Sequence, residues 1–201
     1  MILYNIPPSG NCHKIRLMLS FLKIKYENHD LNLAVSEQTS NEYLKINQFG
    51  QAPVLDDNGT VIRDSQAILV YLAKKYGGEQ WWPDDSYLLA QIMSWLSTTA
   101  NEIQNGPARL RLHYKFGTEI DFKHATDTSN KVLDIINIHL SDKLWLVGSE
   151  ATIADIALYP YLALAHEAHI DMTLYKHIQA WRIRFESLPK YLAMPGIFNN
   201  Q

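Results

Sequence analysis

The sequence predicts an α/β domain of order β-α-β-α-β-β-α over residues 1–77, built on a mixed sheet, and an all-helical domain over residues 87–201. Three observations predict it. The chain opens strand–helix–strand, a pattern that pairs its strands in parallel through a right-handed crossover. Pro53 begins the third strand, and a tight hairpin follows it. Beyond a linker at residues 78–86 the apolar residues recur at helical spacing only.

Residues 2–5 alternate and read as a short strand. Pro7 to Leu17 then lead into a helix. Ser9 stands where an N-cap belongs, and Gly10 and Asn11 accept unusual backbone angles. From Cys12 onward, Ile15, Leu17, Met18, Leu19, Phe21 and Leu22 form a broad apolar face, with Lys14, Arg16 and Lys23 interspersed. Tyr26 to Leu31 reads as the second strand. Ala34 to Asn41 is turn-like, Asn41 to Ile46 a short helix and Asn47 to Gln51 a loop. Pro53 to Asp56 and Thr60 to Arg63 are strands joined by the Asp57-Asn58-Gly59 turn. Asp64 and Ser65 are N-cap candidates for a helix to Tyr76 with Ile68, Leu69, Leu72 and Ala73 inward, and Gly77-Gly78 end it.

The linker holds Trp81-Trp82-Pro83, whose rings are expected to pack against both domains rather than form a binding box. Leu88, Ile92, Leu96 and Ile103 lie along one face of a long helix, which Asn105-Gly106-Pro107 should break. Another helix is expected over about residues 119–140, with Val132, Leu133, Ile135 and Ile136 inward. Thr152 and Asp155 have the spacing of a capping box. They open an almost wholly apolar helix that belongs at the centre of the second domain. A last helix runs from about Leu174 to Glu186, before a short tail.

The bulk numbers bound the function. Apolar residues make up 47% of the 201, enough for a sizeable core. The net charge of −3, with no basic cluster, argues against nucleic acid as a partner. A single cysteine, Cys12, excludes an internal disulfide and points to a reducing compartment. The start lacks the pattern of a signal peptide, and the apolar run Ile153 to Ala165 contains Asp155 and is too short for a bilayer. A cytoplasmic protein without a membrane span is the expectation.

The Pro7 to Leu17 stretch also carries chemistry. A helix N-terminus presents unpaired N–H groups and partial positive charge, so it holds anions, and a thiolate is an anion. Four spread segments, in order, resemble the cytosolic glutathione S-transferase family over essentially the whole chain. They are Ser9-Gly-Asn-Cys-His-Lys-Ile-Arg-Leu17, Ile46-Asn-Gln-Phe-Gly-Gln-Ala-Pro-Val-Leu55, Arg63-Asp-Ser-Gln-Ala-Ile-Leu69 and Thr152-Ile-Ala-Asp155. The first 77 residues match the thioredoxin-like fold that this family uses. The start is similar to serine-type groups such as theta, zeta and phi, and to many bacterial members. Tyr4 lies within the strand and does not match the catalytic tyrosine of other classes.

The resemblance implies glutathione as co-substrate, no metal, a small electrophilic second substrate and a homodimer. It implies roles residue by residue. Asp64 would take the glutathione ammonium, and Ser65 with its helix end the γ-glutamyl carboxylate. A cis Ala52-Pro53 bond would turn the Ala52 backbone outward to pair with the cysteinyl part. Gln51 would reach the peptide backbone, and Gln38 the glycine end. Glu102 matches an acidic position that meets the ammonium across the dimer. Arg109 and Tyr114 would face the second substrate, against the plainer reading of a solvated helix face. Ser9 matches the catalytic serine, with Asn11 as its rival donor. Lowering a thiol pKa from ~8.5 by about two units takes roughly 2.7 kcal/mol. A hydrogen bond to the charged sulfur supplies about 1.5–3 kcal/mol and a helix N-terminus about 0.3–2 kcal/mol.

Two other features compete for attention. Cys12 would suit glutathione-dependent disulfide reduction, but one residue into the helix its thiol should point into the core. His166 and His169 lie three apart on a helix without a third metal ligand in view. A third reading is a non-catalytic transferase-like binding or regulatory module. It is weakened by the apparent completeness of the glutathione set Gln51, Pro53, Asp64 and Ser65.

Overall fold

The computed structural model describes residues 1–197; residues 198–201, to which the expected helical domain extends, lie outside the described residues. Four strands form one mixed sheet in the order β2-β1-β3-β4: β1 (Ile2–Asn5), β2 (Glu27–Asp30), β3 (Val54–Asp57) and β4 (Thr60–Arg63). β1 pairs in parallel with β2, Ile2 opposite Glu27, and antiparallel with β3, Leu3 opposite Leu55. The polar sequence Glu-Asn-His-Asp makes β2 an exposed edge strand, which discourages further pairing. Leu3, Val54 and Leu55 bury the centre. This is the expected thioredoxin-like domain.

Its helices are α1 (Gly10–Phe21), the short α2 (Asn41–Ile46) and α3 (Ser65–Leu72), which runs on as a wide turn through Gly77. The helical domain adds α4 (Ser86–Thr98), α5 (Pro107–Phe116), α6 (Phe122–His139), α7 (Ile153–Ala163) and α8 (Lys176–Glu186). α7 is buried along its whole length and packs against α1, α3, α4 and α8. The Thr152–Asp155 capping box forms, and Asp155 also accepts from the Leu146 N–H and from Trp181 Nε1, at 3.1 and 2.8 Å. One carboxylate thus starts α7 and anchors α8. Trp81 is buried and stacks on Phe21 of the first domain, whose ring in turn meets Phe185 of the second edge-on.

Three expectations are corrected. Ile135 is half exposed, because the buried stripe of α6 runs through Ser129, Val132, Leu133 and Ile136, and Ile135 lies about 60° beyond Val132 at its edge. α6 begins only at Phe122, where the Asp121 side chain accepts the His124 N–H. Leu174 belongs to a separate 3-10 turn ahead of α8. The expected break before α5 is present. A Cβ on Gly106 would stand 2.9 Å from the Glu102 carbonyl oxygen and 3.0 Å from the Ser129 nitrogen, so glycine lets this turn and α6 touch.

Candidate active site

The loop from β1 to α1 is tied down at every step. The Ser9 N–H donates to the Ile6 carbonyl at 2.9 Å. Ser9 takes an extended N-cap conformation, and its Oγ accepts the Cys12 N–H at 3.3 Å. Two arginines hold the intervening carbonyls from different helices. Arg16 donates to Pro7 and Arg111, on α5, to Pro8, each at 3.0 Å. Cys12 faces inward, fully buried, and its sulfur accepts the Ile6 N–H at 3.3 Å. Burial pushes its thiol pKa up, opposite to what a nucleophile needs.

Asn11 opens onto a cleft of about 690 Å³. Its Oδ1 accepts Lys14 Nζ at 2.7 Å and faces Ser65 Oγ at 3.4 Å, so α1 and the start of α3 meet there. Lys14 is buried, with its ammonium 5.4 Å from the centre of the Tyr161 ring. Desolvation pulls its pKa down to about 7, against the opposing charge of Asp64. Gly10 makes room beside it, since a Cβ would stand 3.0 Å from the Tyr161 ring, a tight contact that the ring would have to yield to.

The polar wall of the cleft comes from Gly50, Gln51, Ala52, Asp64, Ser65 and Gln66. The Ala52–Pro53 bond is cis. The Gln51 carbonyl is fixed by Tyr43 Oη at 2.8 Å and Asn47 Nδ2 at 2.7 Å. Asp64 caps α3, accepting the N–H groups of Gln66 and Ala67 at 2.9 and 3.1 Å from a backbone with φ 73°. The N-termini of α1 and α3 therefore open on one cavity, which suits a ligand with separated negative charges. Gln66 was not singled out from sequence. Its Oε1 is buried without a hydrogen-bond partner among the described residues, a signal only coordinates supply.

The opposite wall comes from the helical domain: Ala100, Gln104, Ala108, Arg109, Leu112 and Phe116. Arg111 lies beneath, its Nε 2.6 Å from Glu167, which Lys115 also reaches. One wall is polar and the other mixed apolar and cationic.

The cleft gathers Ser9, Asn11, Gln51, Ala52, Asp64, Ser65 and Arg109, and it does not gather four other candidates. Tyr114 points elsewhere, stacked on His169 with ring centres 3.8 Å apart beside Phe122. Five residues along a helix turn the side chain by 500°, so Arg109 and Tyr114 cannot share a face. Glu102 lines a separate groove with Asn101, Asn105 and Lys131. Gln38 stands behind Gly50, where a Cβ would lie 3.0 Å from the Gln38 carbonyl oxygen. Pro53 is buried behind Ala52. Among the described residues no group of three or more His, Cys, Asp or Glu has the arrangement to hold a metal ion. Nor is any helix among them long and apolar enough to cross a membrane.

Comparison with known proteins follows the same lines. Residues 1–74 match the family model of the glutathione S-transferase N-terminal domain, and residues 89–189 that of the C-terminal domain. The chain is 27% identical over 182 residues to glutathione S-transferase 2 of Anopheles gambiae, covering 90% of this chain and 87% of that protein. It is similar to the crystal structure of a glutathione S-transferase from Pseudomonas fluorescens, with a TM-score of 0.89, 32% identity, and coverage of 96% and 98% of the two chains. It is also similar to a glutathione transferase homologue from Drosophila mojavensis solved with bound glutathione, with a TM-score of 0.84, 30% identity, and coverage of 94% and 88%.

Proposed function

The chain belongs to the glutathione S-transferase family, and from that premise we propose that its cleft binds glutathione, lowers the pKa of the thiol and directs the thiolate at an electrophilic carbon or a peroxide oxygen. The observation that carries this reading is the meeting of two helix N-termini at one cavity, with Asn11 Oδ1 and Ser65 Oγ 3.4 Å apart across 54 positions of sequence. The α3 end and Ser65 take the γ-glutamyl carboxylate, and Asp64 takes the ammonium. The backbone of Ala52 pairs with the cysteinyl part, and Gln51 reaches the peptide chain. Gln38 acts through Gly50 on the glycine end. That leaves the sulfur at the start of α1, within reach of Ser9 and Asn11.

The Ser9 hydroxyl accepts the Cys12 N–H through one lone pair, which leaves its O–H able to turn to an acceptor in the cleft. Ser9 and Asn11 both donate to the sulfur. The second substrate lies against Ala108, Leu112 and Phe116, with Arg109 at the side. Glu102 lies outside the cleft, which fits a role across a homodimer. Detoxification of small electrophiles in the cytoplasm is the matching biological setting. The disulfide-reductase reading is disfavoured by the burial of Cys12.

The test is retention on immobilised glutathione, followed by ultraviolet titration of the bound thiolate. We expect retention and a bound thiol pKa about two units below the free value of ~8.5. A protein that neither binds glutathione nor lowers its thiol pKa would overturn the reading.

A further inference from the structure

We propose that Lys14 is a positioning residue for thiol activation: a buried cation that grips Asn11 by its carbonyl oxygen and so presents the Asn11 amide N–H groups to the cleft. The inference rests on the reading that glutathione sulfur sits at the start of α1.

Lysine is rarely buried unless an acid pairs with it, because desolvating an ammonium is costly. Lys14 is 1% exposed and makes no salt bridge among the described residues. Asp64, the nearby carboxylate, commits Oδ1 to the N–H groups of Gln66 and Ala67. Among the described residues the one hydrogen bond of the ammonium goes to a neutral amide, Asn11 Oδ1, at 2.7 Å. An apolar side chain of the same length would fill this space at less cost. What it would lack is the hold on Asn11.

The hold has a direction. Lys14 lies three residues, one helical turn, after Asn11, so its side chain reaches back along the same face. Ser65 approaches the same Oδ1 at 3.4 Å. Both acceptor positions of the amide oxygen are then occupied, and the two N–H donors are what Asn11 has left for the cleft. A cation on the carbonyl side also polarises the amide and makes its N–H groups stronger donors. The charge thus acts on the sulfur through a side chain, without touching it.

The groups facing Lys14 are Asp64 ahead of α3, Cys12 on α1 and the Tyr161 ring on α7, with the Arg111 charge beyond Tyr161 on α5. Burial leaves the ammonium near its midpoint at neutral pH. A thiolate held in the cleft adds an opposite charge and favours the protonated form.

The experiment compares Lys14→Met, which keeps length without a donor, with Lys14→Gln, which keeps an N–H donor. The readouts are the pKa of bound glutathione thiol and the affinity for S-methylglutathione, which has no thiol to ionise. For Lys14→Met we expect the thiol pKa to rise by about one unit, a tenfold loss of thiolate, with S-methylglutathione affinity held within about threefold. Lys14→Gln should recover part of the shift. The double variant Asn11→Ala/Lys14→Met should rise no further than Asn11→Ala alone. An unchanged thiol pKa in Lys14→Met, or an additive double variant, overturns the proposal. If Lys14→Met does not fold, Lys14→Gln against the wild type and against its own Asn11→Ala double variant decides by the same criteria. If the wild type binds no glutathione, the proposed function fails separately. The grip is then read in the ligand-free protein by NMR, where the Asn11 side-chain amide resonances should shift as Lys14 titrates near neutral pH, and resonances that stay still overturn it.

Discussion

Arg111 on α5 donates its Nη2 to the carbonyl of Pro8, 3.0 Å away and 103 positions earlier in the chain. The bond runs from the helical domain to the residue before Ser9. Arg111 is 4% exposed, and its Nε is paired with Glu167. Replacing it by methionine removes a buried charge and leaves Glu167 with Lys115 alone. Arg111→Met should cost about 3 kcal/mol of stability, read by urea unfolding. Adding Glu167→Leu should restore part of that loss. Turnover should fall further than the folded fraction does, because the Pro8 carbonyl loses its anchor. A variant as stable and as active as wild type would show the bond to be incidental.

Asp64 carries a conflict between stability and function. Its φ of 73° is one that L side chains seldom adopt, and such backbone costs about 1–3 kcal/mol. Glycine relieves that strain, and at an N-cap it forfeits only about a few tenths of a kcal/mol against aspartate. Asp64→Gly should therefore raise stability by about 1 kcal/mol. The same change removes the carboxylate proposed to meet the glutathione ammonium, so affinity should fall at least about tenfold. Calorimetric melting and glutathione binding measured on one preparation check both halves. Loss of stability together with unchanged affinity would remove Asp64 from the site.

These two cases show what was legible in the chain and why. Asp64, Ser9 and the Thr152–Asp155 pair are caps, and a cap is a local bond between near neighbours, so composition at a boundary reveals it. The Arg111–Pro8 bond and the burial of Lys14 depend on α5 and α7 packing on the first domain, contacts between residues more than 100 positions apart. Periodicity says which face of a helix is inward, but not what the face meets. Lys14 reads as a polar interruption of an apolar face, and the face closes over it with the Tyr161 ring beside its ammonium. Tyr114 is different. The 100° advance per residue already separates it from Arg109, and that rule alone would have excluded the pairing.

Asp57 gives the protein an acid-sensitive tie between β3 and the turn after α3. Its Oδ2 accepts from Lys75 at 2.7 Å, Tyr76 at 2.5 Å and Tyr71 at 2.8 Å. The Lys75 bond, then that of Tyr76, pull the carboxyl pKa down from 3.8 to about 2. A depressed carboxyl pKa stabilises the fold above the unfolded value, and that stabilisation disappears as pH falls through the folded value. The window is therefore pH 4 down to about 2. Lys75 stands half in solvent, which screens the attraction and keeps the contribution small. Urea midpoints of wild type and Asp57→Asn should differ at pH 6 and converge toward pH 2. Parallel curves across that range would place the acid sensitivity elsewhere.

Ser9 has two roles that glycine and alanine separate. As N-cap it accepts the Cys12 N–H at 3.3 Å, and as proposed donor it keeps a proton for the glutathione sulfur. Ser9→Ala removes both and should cost about 1 kcal/mol of stability, whereas Ser9→Gly should cost about a few tenths, since glycine is itself tolerated at an N-cap. Neither variant has a hydroxyl, so both should raise the pKa of bound glutathione thiol by about one unit, a tenfold loss of thiolate at neutral pH. Ultraviolet titration of the bound thiolate and urea unfolding give the two axes. If Ser9→Gly leaves the thiol pKa where it was, the hydroxyl is a cap alone, and activation falls to Asn11 and the α1 N-terminus. If both variants raise the pKa equally while only Ser9→Ala loses stability, capping and activation are separate properties of one side chain.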